Sequence, residues 1–137
     1  MSTAPLYTPV MLAAAVELAE YPPMADADRR GSARAQVCGS HLDMDLMLDA
    51  KYHIASVGLQ VYACAVGQAS AAIFARHAQD RSAQDIEATL VALEGWLSGG
   101  GSLPDWPDMP LIAAARDYPG RHGAMLLPWK AACDALS

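Results

Sequence analysis

The chain has 137 residues, 53% of them apolar and 18% charged, and a formal net charge of −6. That length suits one domain over residues 1–137 with a single core, and the apolar share excludes a disordered chain. The acidic balance works against a phosphate backbone as partner, so nucleic acid is not expected. No apolar run reaches the ~20 residues that span a bilayer. No Lys or Arg precedes Arg29 to form the basic start of a signal peptide. The expectation is a cytoplasmic protein without membrane contact, whose three cysteines remain thiols.

Residues 6–21 predict a first helix. Leu6, Val10, Ala13, Val16 and Leu18 give it an apolar face, Pro9 lies near its start, and Tyr21-Pro22-Pro23 stops it. Residues 24–33 are polar and contain Gly31, which predicts a loop. Three strands follow. The first is short, from Arg34 to Cys38. In the second, Leu42, Met44, Leu46 and Leu48 alternate with Asp43, Asp45 and Met47. Asp49-Ala50-Lys51 is a turn, and Ile54 to Val61 then carries Val57, Leu59 and Val61 on one face. This pattern predicts an antiparallel meander covered on one side by helices.

The remainder predicts helices. Residues 66–79 carry Ala69, Ala72, Ile73 and Ala75. Ser82-Ala83-Gln84-Asp85 resembles a capping box with Asp85 in place of Glu, and the next helix presents Ile86, Leu90, Leu93 and Leu97 before Gly99 ends it. Gly99-Gly100-Gly101-Ser102 lacks the Lys-Ser/Thr of a phosphate loop. Asp108 and Pro110 open a short helix through Ala115. Proline is tolerated in a first helical turn, so Pro128 sets the start of the last helix near Ala124 or Met125. Arg121, His122 and Gly123 then lie in the connection before it. The fold class is α+β: a three-stranded antiparallel sheet packed against about five helices.

Chemistry centres on Cys38 and Cys64. Their separation of 26 residues is not a CxxC spacing, so spacing alone points weakly to metal. Gly39 allows close approach of the backbone, and Cys64 precedes a helix N-terminus, where the dipole favours a thiolate. Inert buried thiols are the competing reading. Cys133 lies four residues after Trp129 on the same helical face and reads as packed. His41 and Asp43 share one face of a strand and read as solvated. There is no Gly-x-Ser-x-Gly and no His-Glu-x-x-His, so no catalytic residue is expected. A Cys64–His122 nucleophile pair is the one thiol-enzyme arrangement to weigh.

The segments Leu6-Tyr7, Cys38-Gly39, Cys64, Ala69-Ser70 and Leu127-Pro128-Trp129-Lys130-Ala131 resemble the NifU/IscU/SufU family of iron–sulfur cluster scaffold proteins. The resemblance spans nearly the whole chain and implies one NifU N-terminal-like domain with a SufE/NifU-like fold. It implies that Cys38 and Cys64 are ligands for iron, a transient [2Fe–2S] cluster or zinc. It also implies a cysteine desulfurase as sulfur donor and apoproteins as cluster acceptors, and it leaves room for a homodimer. The chain departs from the family at two places. Ser40 stands where the family has Asp, and Ala124 stands where it has its third cysteine. His122 is then the one candidate for a third metal ligand, because imidazole binds zinc or cluster iron. Two thiolates fall short of the four terminal ligands of a [2Fe–2S] cluster. Asp117-Tyr118-Pro119-Gly120 occupies the region where the Isc branch presents Leu-Pro-Pro-Val-Lys to its chaperone. Two readings follow. One is a scaffold or sulfur acceptor without turnover of its own. The other is a zinc-binding or metal-free module that regulates a desulfurase. The first requires Cys38, Cys64 and the start of the last helix to converge.

Overall fold

A computed structural model describes residues 6–137. The Thr8 hydroxyl oxygen accepts a hydrogen bond from the Met11 N–H at 3.1 Å, and this cap starts helix α1 (Pro9–Val16). A 3-10 helix, Glu17–Glu20, continues it. Met11 and Ala14 are the buried side chains of α1, while Val10 and Val16 of the expected face are exposed. Seven of the eight residues in Pro-Val-Met-Leu-Ala-Ala-Ala-Val are apolar besides the proline, so periodicity does not choose the buried face there. Packing against the next long helix chooses it.

The sheet is antiparallel in the order β1 (Arg29–Ala35), β2 (Ser40–Leu48), β3 (Ile54–Tyr62). β2 buries Leu42, Met44 and Leu46 and turns Asp43 outward, as its alternation requires. The loop expected over 24–33 is corrected, because β1 begins at Arg29. Its polar run has little strand signal of its own. It is extended because its backbone pairs with β2 from Arg29↔Leu46 to Ala35↔Ser40 and because a helix lies across it. The strand expected to reach Cys38 ends at Ala35, and Cys38 sits in the turn between β1 and β2.

Helices α2 (Ala65–His77), α3 (Ala83–Leu97) and α4 (His122–Leu136) follow, with 3-10 helices at Met109–Asp117 and Pro119–Arg121. The Ser82–Asp85 capping box forms in both directions, and Gly99, at φ +96°, ends α3. α4 lies over β1 and β2, and α2 packs between α1 and α4. Phe74, Trp106 and Trp129 meet in the core, with ring centroids 5.3, 5.4 and 5.6 Å apart. No helix among the described residues is long and apolar enough to cross a membrane.

Arg76 ties three segments together. It donates to Glu17 at 2.6 Å and to Asp108 at 3.2 Å, and His77 Nε2 meets the same Asp108 oxygen at 2.7 Å. His77 first, then Arg76, holds the Asp108 carboxyl below the usual carboxylate range.

The last helix corrects the expectation drawn from Pro128. It begins at His122, so Pro128 lies inside it and Arg121 alone of the three residues precedes it. Proline cannot donate to the Ala124 carbonyl, which loosens the backbone there. The fully buried Ser70 hydroxyl on α2 donates to the next carbonyl, Met125, at 2.6 Å. This cross-helix bond ties α2 to α4 one residue beyond the carbonyl that Pro128 leaves without its intrahelical donor. Ser70→Ala is expected to cost about 0.5–1.5 kcal/mol by removing this buried hydrogen bond. Urea unfolding would read it as a lower midpoint at unchanged slope.

Candidate functional site

The β1–β2 turn carries Cys38. Gly39 adopts φ +71°, and its N–H donates to the Ala35 carbonyl at 2.9 Å. This left-handed step closes the turn and leaves Val37 and Cys38 exposed. Two residues after Cys38, the chain enters β2 at buried Ser40. The Cys38 Sγ and Ser40 Oγ lie 3.0 Å apart. Ser40 holds the Cys38 thiol below its ordinary range, because a hydroxyl donates to a thiolate and favours the charged form. The Arg121 charge adds in the same direction.

Cys64 stands at the other side of the same end of the sheet. His41, next to Ser40, pairs with Tyr62 at the end of β3, and their rings stack at 4.5 Å. Cys64 follows two residues later as the N-cap of α2, a position usually filled by Ser, Thr, Asp or Asn. Its sulfur makes no capping bond, so the half-buried thiol remains uncommitted.

The start of α4 closes this end. A Cβ placed on Gly123 would lie 3.0 Å from the Ala35 Cβ, at the end of β1. A Cβ placed on Gly67 would lie 2.7 Å from the Ala63 Cβ and 3.3 Å from the Ala124 Cβ. The two glycines therefore let α4 approach the turn that holds Cys38 and the α2 start that holds Cys64. The segments carrying both cysteines and position 124 share one end of the fold, as the sequence required.

His122 is not gathered with them. Its Nε2 lies 2.7 Å from the Arg116 carbonyl oxygen, and it lines a cleft with Glu94, Leu97, Ser98 and Leu126. Gly123 and Ala124 face the sheet and α2, so the preceding residue turns toward α3. Among the described residues, no three His, Cys, Asp or Glu side chains group so as to hold a metal ion. The expected ligand trio of Cys38, Cys64 and His122 is therefore not assembled. Two thiols fall short of the donors needed for zinc or a [2Fe–2S] cluster.

Cys133 lies elsewhere, in a cavity of about 410 Å³ between α3 and α4 with Leu90, Val91 and Leu136. Burial pushes its thiol up, and Glu87 and Glu94 add to this. His41 and Asp43 lie on the outer face of the sheet. Sequence reasoning missed the cations around Cys38. A cleft of about 310 Å³ beside the turn is lined by Arg34, Gln36, Val37, Cys38, Gly123 and Lys130, together with Ala35 and Gly120. Lys130 is 92 positions from Cys38, and no local pattern links them.

A three-stranded antiparallel sheet backed by helices on one face defines an α+β fold, with two thiols in the segments at one end of it. No family model and no curated protein matches the chain by sequence. Solved structures do. It is similar to the N-terminal part of a NifU-like protein from Brucella abortus, with a TM-score of 0.86 and 27% identity, covering 95% of this chain and 91% of that one. It also shares its fold with a SUF-system SufU protein from Fervidobacterium islandicum AW-1, at a TM-score of 0.85 and 19% identity over 96% and 97% of the two chains. A hypothetical protein shares it at a TM-score of 0.68 and 14% identity over 93% and 96%. The chain thus has the NifU-like fold that the resemblance implied, with Ala124 where that resemblance expects a third cysteine.

Proposed function

We propose that this protein accepts sulfur, or an incomplete iron–sulfur cluster, at Cys38 and Cys64 and passes it on without turning over a substrate of its own. The observation that carries the reading is the placement of the two thiols. Cys38 lies in the turn after β1 and Cys64 in the N-cap that follows β3, and Cys38 is exposed with Ser40 favouring its thiolate. A thiolate is the form that accepts sulfane sulfur and binds iron. The donor in this reading is a cysteine desulfurase, and apoproteins are the recipients. Iron or a [2Fe–2S] cluster is cargo here rather than a resident cofactor. Two thiols hold it weakly, so the remaining donors come from a small thiol, a second copy or the partner.

The absence of a grouped third ligand among the described residues favours a second reading. In it the chain is a metal-free or weakly zinc-binding module that docks a desulfurase and regulates it. The test is desulfurase-driven loading in the absence of oxygen, followed by iron, zinc and acid-labile sulfide analysis and a visible spectrum. The scaffold reading expects sulfide on the wild type and its loss in Cys38→Ser and Cys64→Ser. Desulfurase binding that survives both substitutions, with no sulfide on the wild type, establishes the regulatory module instead.

A further inference from the structure

Positive charge is scarce on this chain and unevenly placed. Nine Lys and Arg residues face fifteen Asp and Glu. Arg30 and Arg76 are ion-paired, while Arg81 lies over the Trp106 ring and Arg116 over the Trp96 ring. Among the described residues this leaves Arg29, Arg34, Lys51, Arg121 and Lys130 without such a partner. Three of these five surround Cys38. Arg34 and Lys130 line its cleft, and Arg121 acts electrostatically on its thiol. They come from β1, from the 3-10 turn before α4 and from the third turn of α4, so the fold gathers them. No carboxylate lines the cleft. Val37, 86% exposed at the tip of the turn, adds an apolar contact beside the charges.

We infer that this basic mouth is a docking surface for an acidic segment of a protein partner, which it brings against Cys38 by charge. The inference deepens the sulfur-acceptor reading and rests on it only in naming Cys38 as the point of transfer. An acidic protein repels an acidic partner over most of its surface. An isolated basic patch therefore orients approach as well as attracting it, and salt weakens both effects.

The test uses synthetic peptides with one cysteine activated as a pyridyl disulfide, flanked by glutamates in one peptide and lysines in the other. The Cys38 thiolate attacks the peptide sulfur. A protein–peptide S–S bond forms, the original S–S bond breaks, and pyridinethione leaves with the electron pair and takes up a proton. The rate is read from pyridinethione release, and peptide mapping assigns the adduct to Cys38.

The acidic peptide is expected to react about tenfold faster than the basic one at low salt, within the range of electrostatic steering. The ratio should fall toward one at high salt and in R34Q with K130Q. Replacing Arg29 and Lys51 by Gln makes the same change in net charge near the opposite end of the sheet and should leave the ratio intact. Equal rates for the two peptides at low salt overturn the inference. So does a preference that survives in R34Q with K130Q, or one lost equally in the Arg29 and Lys51 control. Sulfide loading on the same wild-type protein separates the two ideas. Charge preference without loading sinks the acceptor reading alone, and loading without preference sinks this one alone.

Discussion

Gly31→Ala is expected to destabilise the protein by about 3 kcal/mol or more, at the upper end of the cost of overpacking. For a chain of this length that corresponds to a fall in Tm of roughly 10 °C. A Cβ at Gly31 would run into the Ala131 carbonyl and the Ala135 N–H of α4, and would lie 2.8 Å from the Ala135 Cβ. Two of these three atoms are helix backbone, which cannot rotate away. The approach is close because α4 covers the outer edge of β1. There the Asp134 carboxylate accepts a hydrogen bond from the Ser32 N–H at 3.0 Å, so an edge donor of the sheet is satisfied by the helix. The added methyl would lift α4 and break that bond as well. Gly120→Ala is the control. It has no atom within 4 Å of the added carbon and should change stability by less than about 0.5 kcal/mol. Thermal and urea melts of the two variants decide the matter. Equal midpoints would mean that α4 does not sit against β1 this closely.

Gly31 also shows where the sequence stops being legible. β2 and β3 announce themselves, because each has a side facing helices and a side facing water. α3 announces itself through its capping box. β1 does not. Arg-Arg-Gly-Ser-Ala-Arg-Ala offers no alternation of apolar and polar residues, and its glycine reads as a loop signal. What makes it a strand is a helix 100 residues away that needs a position without a side chain. The start of α4 failed for a related reason. Pro128 reads locally as a start signal, but the packing of α4 on β1, β2 and α2 carries the helix through it.

The common end of the segments that carry Cys38 and Cys64 was readable from strand ends and from the resemblance to the scaffold family. The orientation of His122 was not. In a helix the direction of a side chain depends on where the first turn begins, and that was misplaced by two residues or more. Ser40 was noticed only as a missing aspartate. The structure places it as the partner of the Cys38 sulfur.

That contact carries the second large effect. Cys38 is expected to be alkylated by iodoacetamide at pH 7 about tenfold or more faster than Cys133, since thiolate population and access both control the rate. The two thiols are displaced in opposite directions. Ser40 favours the charged form of Cys38, while burial, Glu87 and Glu94 oppose it at Cys133. The sign can be followed with pH. The Cys38 rate should reach its plateau at a lower pH than a free cysteine, because the folded protein releases the proton earlier. The Cys133 rate should still be rising where a free cysteine has levelled off. Ser40→Ala removes the donor and should move the Cys38 profile to higher pH. Ser40→Asp should move it further, because a carboxylate beside the sulfur opposes the thiolate instead of donating to it. Peptide mapping by mass spectrometry across a pH series gives all of these profiles. A Cys38 profile unchanged in both variants would remove Ser40 from the site. The three residues Cys38-Gly39-Ser40 form a unit in this reading. Gly39 turns the chain so that the hydroxyl meets the sulfur, and the serine favours the thiolate where a carboxylate would oppose it.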